Sequence, residues 1–286
     1  MKTTKYLLIA LFIPGILATG FSQKSFITQK FNLQSTDIKL STAELKRSAE
    51  IITGRLKSFS TEKSAVITFP EKNQIQVVLT GNWDSKLTES LITQKGRLEF
   101  YETYNYKQVM TLLKNDGSLP ALLHDQAPGD SSAKLGCTSS AELNNVITYL
   151  NSTGLNLKCK FAGSNLFQDS SVCLYALRLN SGNGVLLRGS DIERFNIKYE
   201  PLLNKDSFEF KFKTSVIGKW AEITRRNLNN AIAIVMDDNV IYAPVVKSEI
   251  SGGNCQVTGD FTSMQLRYIV AIGANGELPA VFFNVK

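Results

Sequence analysis

From Lys24 the chain begins polar and irregular, with one strand-like patch at Phe31 to Leu33. Ser41-Thr-Ala-Glu44 has the form of a capping box, in which hydroxyl and carboxylate satisfy free amides at a helix start. Leu45, Ala49, Ile52 and Leu56 follow at i, i+4, i+7 and i+11 and predict one apolar helical stripe. Alternation predicts strands over 65–69 and 74–79, joined through Pro70 and Asn73, with Ile75, Val77 and Leu79 on one face. A second helix is expected over 85–95, stopped by Gly96 in the left-handed region, then a strand over 97–104. The order α-β-β-α-β is most of a ferredoxin-like split unit, an antiparallel sheet with helices on one face.

Between 105 and 187 the pattern weakens. Gly, Ser, Asn and Asp are frequent, and only a helix over 140–150 and a strand over 172–179 stand out. Regular alternation returns at Phe208-Glu-Phe-Lys-Phe212, where three phenylalanines share a face. That face reads as the buried side of a strand, with apolar-peptide binding as the rarer use of such a pattern. A helix over 215–229 sets Val216, Trp220 and Ile223 on one side. Two strands then flank Asp237-Asp238-Asn239, whose short polar side chains suit a hairpin turn. A short strand over 255–257, a helix from Thr262 burying Leu266, Ile269, Val270 and Gly273, and a strand over 280–285 follow. The fold class is therefore α+β.

The start of the chain changes the picture. Lys2 and Lys5 precede an apolar run from Tyr6 to Ile13, interrupted by Pro14 and followed by the small residues Ala18, Gly20 and Ser22. This is the form of a secretory leader over residues 1–22, with an uncleaved N-terminal anchor as the alternative. An exported protein working in the periplasm is the expectation, soluble or peripherally attached to the inner membrane. The four cysteines, Cys137, Cys159, Cys173 and Cys255, then predict two disulfides with three pairings open. A single histidine and no CxxC argue against zinc.

Composition is that of a globular protein, 43% hydrophobic and 20% charged, with a formal charge of +7. The basic residues form no stripe with interleaved aromatics, so nucleic-acid binding is not expected. His124 would be needed for a Ser-His-Asp triad, but no Gly-x-Ser-x-Gly elbow accompanies it. Asp237 and Asp238 are explained by the turn, and Gly129 and Gly252-Gly253 lack the lysine of a phosphate loop. No catalytic, metal-binding or cofactor-binding residues are predicted.

One run of residues carries a family resemblance. Thr224, Ala233-Ile234-Val235, Asp237, Ala243-Pro244, Gly253, Gly259-Asp-Phe261-Thr262 and Gly276-Glu-Leu278-Pro279 stand in an order similar to that of the first periplasmic domain of SecD. SecD is the membrane component that assists the bacterial Sec translocon. Ala49 to Ile52 through Arg55, Leu98-Glu-Phe100 and Arg188 to Ile192 resemble the same family. Asp238 stands where the family has a turn glycine, Asn229 where it has a glycine near a helix end, and the family's Asp-Leu-(Lys/Arg)-Gly-Gly motif is missing. The resemblance implies a ferredoxin-like base and an inserted α+β head, read here as a stand-alone exported module without the family's membrane helices.

On that basis the chain divides into a leader (1–22), an N-terminal extension (23–40), a first part of the base (41–105), an inserted head (106–255) with a cysteine-bearing, loop-rich part (106–185), and a second part of the base (256–286). The implied function is non-catalytic: binding of emerging or unfolded polypeptide, or of a Sec translocon component, in protein export. An envelope structural or assembly protein reusing this fold is the alternative, and a hydrolase built on His124 the least favoured reading.

Overall fold

The computed structural model describes residues 28–36, 39–114, 118–126, 129, 131–167, 169–180, 183–201 and 204–285; the leader expected at 1–22 lies outside them. The segment expected to be an irregular extension forms a strand, β1 (Thr28–Ser35). It alternates Phe31 and Leu33 into the core and keeps Lys30, Asn32 and Gln34 outside, a longer two-residue pattern than the patch suggested. Helix α1 (Thr42–Phe59) starts at the expected box: the Glu44 amide donates to Ser41 Oγ, and the Ser41 amide to the Glu44 carboxylate. The Ser41 hydroxyl also donates to the Glu44 carboxylate, and with the Ser41 amide it holds the exposed Glu44 carboxyl below its ordinary pKa.

Strands β2 (Lys63–Phe69) and β3 (Gln74–Thr80) and helix α2 (Ser85–Thr93) follow as predicted. The unit differs from the expectation by one strand at each end. Strand β4 (Leu98–Tyr104) does not join this sheet. The fourth strand is β14 (Phe282–Asn284), which pairs with β1. The sheet order β14-β1-β3-β2, antiparallel throughout, completes a β-α-β-β-α-β ferredoxin-like unit with everything from β4 to the start of β14 inserted after α2. β4 leaves because its residues are buried on both faces, and a two-layer base covers only one.

Among the described residues the insertion is built of helices and strands where a loop-rich region was expected. Helices α3 (Tyr106–Leu112) and α4 (Ser118–Leu122) lead to β5 (Lys134–Ser139), α5 (Leu143–Ser152), β6 (Cys159–Gly163) and β7 (Ser171–Arg178). They enclose their own core of Val109, Leu135, Leu150, Phe161 and Leu174. The short strands were hidden by Gly136, Gly163 and the small polar residues around them, which dilute the alternation.

Then come β8 (Val185–Arg188), β9 (Ile192–Glu200), β10 (Lys205–Phe212), α6 (Thr214–Arg226), β11 (Ile232–Met236), β12 (Asn239–Tyr242), β13 (Asn254–Val257) and α7 (Ser263–Asn275). The large sheet runs β12-β11-β4-β7-β5, with β6 on β7 and β8 on β4. A second, three-stranded sheet runs β13-β10-β9. Helix α7 packs on α1 and on β9, joining base and insertion.

The two disulfides expected are one. Cys137 and Cys173 are bonded across a directly opposed pair of β5 and β7. Cys159 and Cys255 are buried free thiols. They stand in different sheets and pack into different apolar clusters, which keeps them apart.

Candidate functional site

The two sheets face each other through aromatic side chains. Phe100 of β4 lies 5.4 Å from Phe210, 5.2 Å from Phe212 and 5.7 Å from Trp220, between ring centroids. Phe208, Phe210 and Phe212 are thus core, as their alternation predicted, and Trp220 of α6 closes the stack 4.8 Å from Phe212. At one side this layer is incomplete. A cavity of about 270 Å³ opens between β13 and the segment after β12, walled by Phe210, Trp220, Ile234, Pro244, Val246, Ile250 and Val257.

That volume is slightly below the ~300 Å³ at which small-molecule pockets begin, which suits a pair of apolar side chains better than a cofactor. Cys255 also lines it. Burial pushes its thiol up to about 12, which suits an apolar wall and not a nucleophile.

Of the run of residues carrying the family resemblance, Ile234 and Pro244 line this cavity, and the others sit in strands, turns and helix ends elsewhere. Ala233, Ile234 and Val235 are buried in β11. Asp237 and Asp238 form the two-residue turn into β12, both at positive φ. The Asp237 carboxylate accepts from the amides of Gly96 (2.7 Å) and Arg97 (2.8 Å), tying the hairpin to the start of β4. Asp238 pairs with Arg97 and Lys160. Burial acts to raise its carboxyl, but those two cations outweigh it and hold it below its ordinary value.

After β12, Ala243 leads to Pro244, which forms one lip of the cavity. Gly253, at φ 70°, accepts from the Phe212 amide; a Cβ there would stand 2.8 Å from Ile217. Thr262 caps α7 in a box with Gln265. Gly276 ends α7 at φ 82°, Leu278 is fully buried with its amide on the Lys95 carbonyl, and Pro279 is half-buried beyond it.

Gly259 and Phe261 belong to a second, wider cleft of about 680 Å³, with Tyr175 and Tyr242 beside them and the Lys205–Asp260 ion pair at its rim. Cys173 of the disulfide lines its far side. His124 is exposed and lies on a backbone bridge to Cys137, while neighbouring Asp125 is engaged by Lys134. The cavity itself was not predictable from sequence: Trp220, Ile234, Pro244, Cys255 and the phenylalanine alternation had each been singled out for another reason, and their convergence depends on the packing of β10, α6, β11 and β13.

Comparison with known proteins agrees with this architecture. Residues 175–280 match the family described as the SecDF P1 head subdomain. The protein translocase subunit SecD of Calditerrivibrio nitroreducens is 26% identical over 252 residues, covering 85% of this chain and 42% of that protein. The chain therefore spans less than half the length of that relative. Among solved structures, SecDF in its super-membrane-facing form superposes with a TM-score of 0.56 at 18% identity, over 91% of this chain and 30% of that one. A second, described as a membrane component SecDF that enhances protein export, gives 0.51 at 18% identity over 90% of this chain and 98% of that one. Among the described residues no helix is long and apolar enough to cross a membrane. In sequence and in fold, the chain is similar to the first periplasmic domain of the SecD/SecDF protein-export family.

Proposed function

We propose that this protein acts in export on the periplasmic side, carried there by its basic-then-apolar start, and that its head holds segments of unfolded polypeptide. The observation that carries the reading is the apolar cavity between the two sheets, open at a sheet edge and too small for a typical cofactor. Two apolar side chains entering it would each contribute roughly 1.5–3 kcal/mol of burial, a weak and reversible grip suited to a chain passing by. The role is non-catalytic: binding and release, with a Sec translocon component as the natural neighbour.

The test is binding of a reduced and alkylated, permanently unfolded polypeptide to the full chain, followed by fluorescence anisotropy. Ile250→Lys places a charge in the cavity wall and is expected to weaken binding about tenfold while circular dichroism stays unchanged. Equal binding by both forms would remove the cavity from the reading. Crosslinking in cells that recovered one folded envelope protein, and neither unfolded chains nor Sec components, would replace it with an assembly role.

A further inference from the structure

Resting on that reading, we infer that β13 is the docking edge: an extended polypeptide segment adds to its free side as a further strand and seats alternate apolar side chains in the cavity. β13 ends the three-stranded sheet, paired only with β10 among the described residues. The Phe212 amide donates to the Gly253 carbonyl at 3.0 Å, so that opposed pair is a hydrogen-bonded one. Antiparallel alternation then assigns Cys255 and Val257 to bonding β10, and turns the backbone groups of Asn254 and Gln256 toward the free edge. Their N–H and C=O groups present the complement of a strand, which is the chemistry of β-augmentation.

Most other edges are blunted in the usual ways. β9 carries Glu193, Arg194, Lys198 and Glu200, β2 opens with Lys63, β5 opens with Lys134 and is bridged by His124 at Cys137, β14 has three residues, and the uncharged β12 runs within two residues into Pro244. The stretch from Gly252 to Gly259 has neither charge nor proline, and it borders the apolar cavity. An uncharged edge beside a cavity is what proteins avoid unless something is to pair there.

The same geometry names the occupant. Cys255 and Val257 point inward, so inward-facing residues of an added strand meet Trp220, Val246 and Ile250 and should be apolar. Asn254 and Gln256 point outward, onto a face where charges are already paired: Lys198 with Glu209, Lys211 with Glu193, and Gln256 bonded to both Lys198 and Glu200 at 3.2 Å each. Outward-facing residues should therefore be polar, of no fixed sign. The partner is an extended, proline-free segment of unfolded chain in which apolar and polar residues alternate.

The probes are a labelled nonapeptide of alternating leucine and glutamate and two N-methylated versions, one methylated at every leucine amide and one at every glutamate amide. Binding is read on the full chain by anisotropy. Strand addition uses only one of the two sets of amides, so one methylated peptide is expected to bind at least tenfold more weakly than the parent and the other nearly as well. Loss confined to the glutamate set marks antiparallel addition, and loss confined to the leucine set marks parallel addition. Equal affinity for all three peptides, or equal loss by both methylated forms, overturns strand addition. If the parent nonapeptide fails to bind while the permanently unfolded polypeptide does, the edge proposal falls and the polypeptide reading stands. If neither binds, both fall.

Discussion

Replacing Arg55 by methionine should unfold this protein several degrees earlier, although among the described residues Arg55 forms no ion pair. Its side chain is fully buried, and its guanidinium donates to four backbone carbonyls: Leu91 (3.1 Å), Gln94 (2.7 Å), Lys95 (2.8 Å) and Gly276 (2.7 Å). These are the C-terminal carbonyls of α2 and the end of α7, where a cation also meets the negative poles of both helices. Four hydrogen bonds to a charged group at about 1.5 kcal/mol each contribute roughly 6 kcal/mol. Against this, burial lowers the guanidinium pKa to about 10, a penalty on the charged form of roughly 3 kcal/mol. The difference leaves Arg55→Met about 3 kcal/mol less stable, or some 6–12 °C in melting temperature for a chain of this size.

Urea titration and calorimetry measure both quantities. Arg55→Lys should not rescue, because an ammonium offers donors from one point and cannot span four carbonyls. Gly96→Ala should act in the same direction, since its Cβ would stand 2.2 Å from the Arg55 Nη2 atom at a backbone φ of 75°. An Arg55→Met protein melting within a degree of the parent would refute the reasoning.

Unfolding in denaturant without reductant should expose two titratable thiols, and four after reduction; two disulfides would give none before reduction. In the native protein both thiols should react slowly, since burial raises Cys159 to about 11 and Cys255 to about 12. Glu102 accepts from Arg226 (2.8 Å), Asn227 (2.9 Å) and Asn180 (2.8 Å). Burial acts to raise its carboxyl, but these bonds prevail and lower it. Its stabilising contribution is therefore fully present above the ordinary carboxylate pKa and lost as pH falls through the lowered folded value, so the stability gap between parent and Glu102→Gln should begin to close near pH 4.5 and go on closing below it. Asp237→Ala should cost about 1–3 kcal/mol by orphaning the Gly96 and Arg97 amides, whereas Asp238→Gly should be nearly neutral, trading weak ion pairs for relief of positive φ. Chemical denaturation reads both.

Most of the base and the hairpins were legible because single segments carry their own signals. The Ser41–Glu44 box, the Leu45–Leu56 stripe and the Asp237-Asp238 turn each appear in the structure where the pattern set them. What escaped depended on partners distant in sequence. β4 looks like any half-buried strand until β11, β7 and β8 surround it. β1 gains its regularity from pairing with β3 and β14. β9 was overlooked because its charged residues mask the alternation of an edge. The cavity was invisible for the same reason, being a space between four elements and no residue's property.

The pairing of β1 with β14 constrains the order in which this protein can fold. The Val285 amide bonds the Asn32 carbonyl at 2.7 Å and the Asn32 amide bonds the Asn284 side chain, across 252 residues of chain. Closing such a loop from a disordered chain costs roughly 5 kcal/mol in entropy. Once the insertion has folded, its two ends already meet, with the Leu278 amide 2.8 Å from the Lys95 carbonyl. The path left to close, from Asn32 to Lys95 and from Leu278 to Asn284, is then about 70 residues, and closing it costs roughly 1 kcal/mol less. Folding of the insertion therefore favours completion of the base sheet, and a variant that slows the head should delay the pairing of β14 with β1.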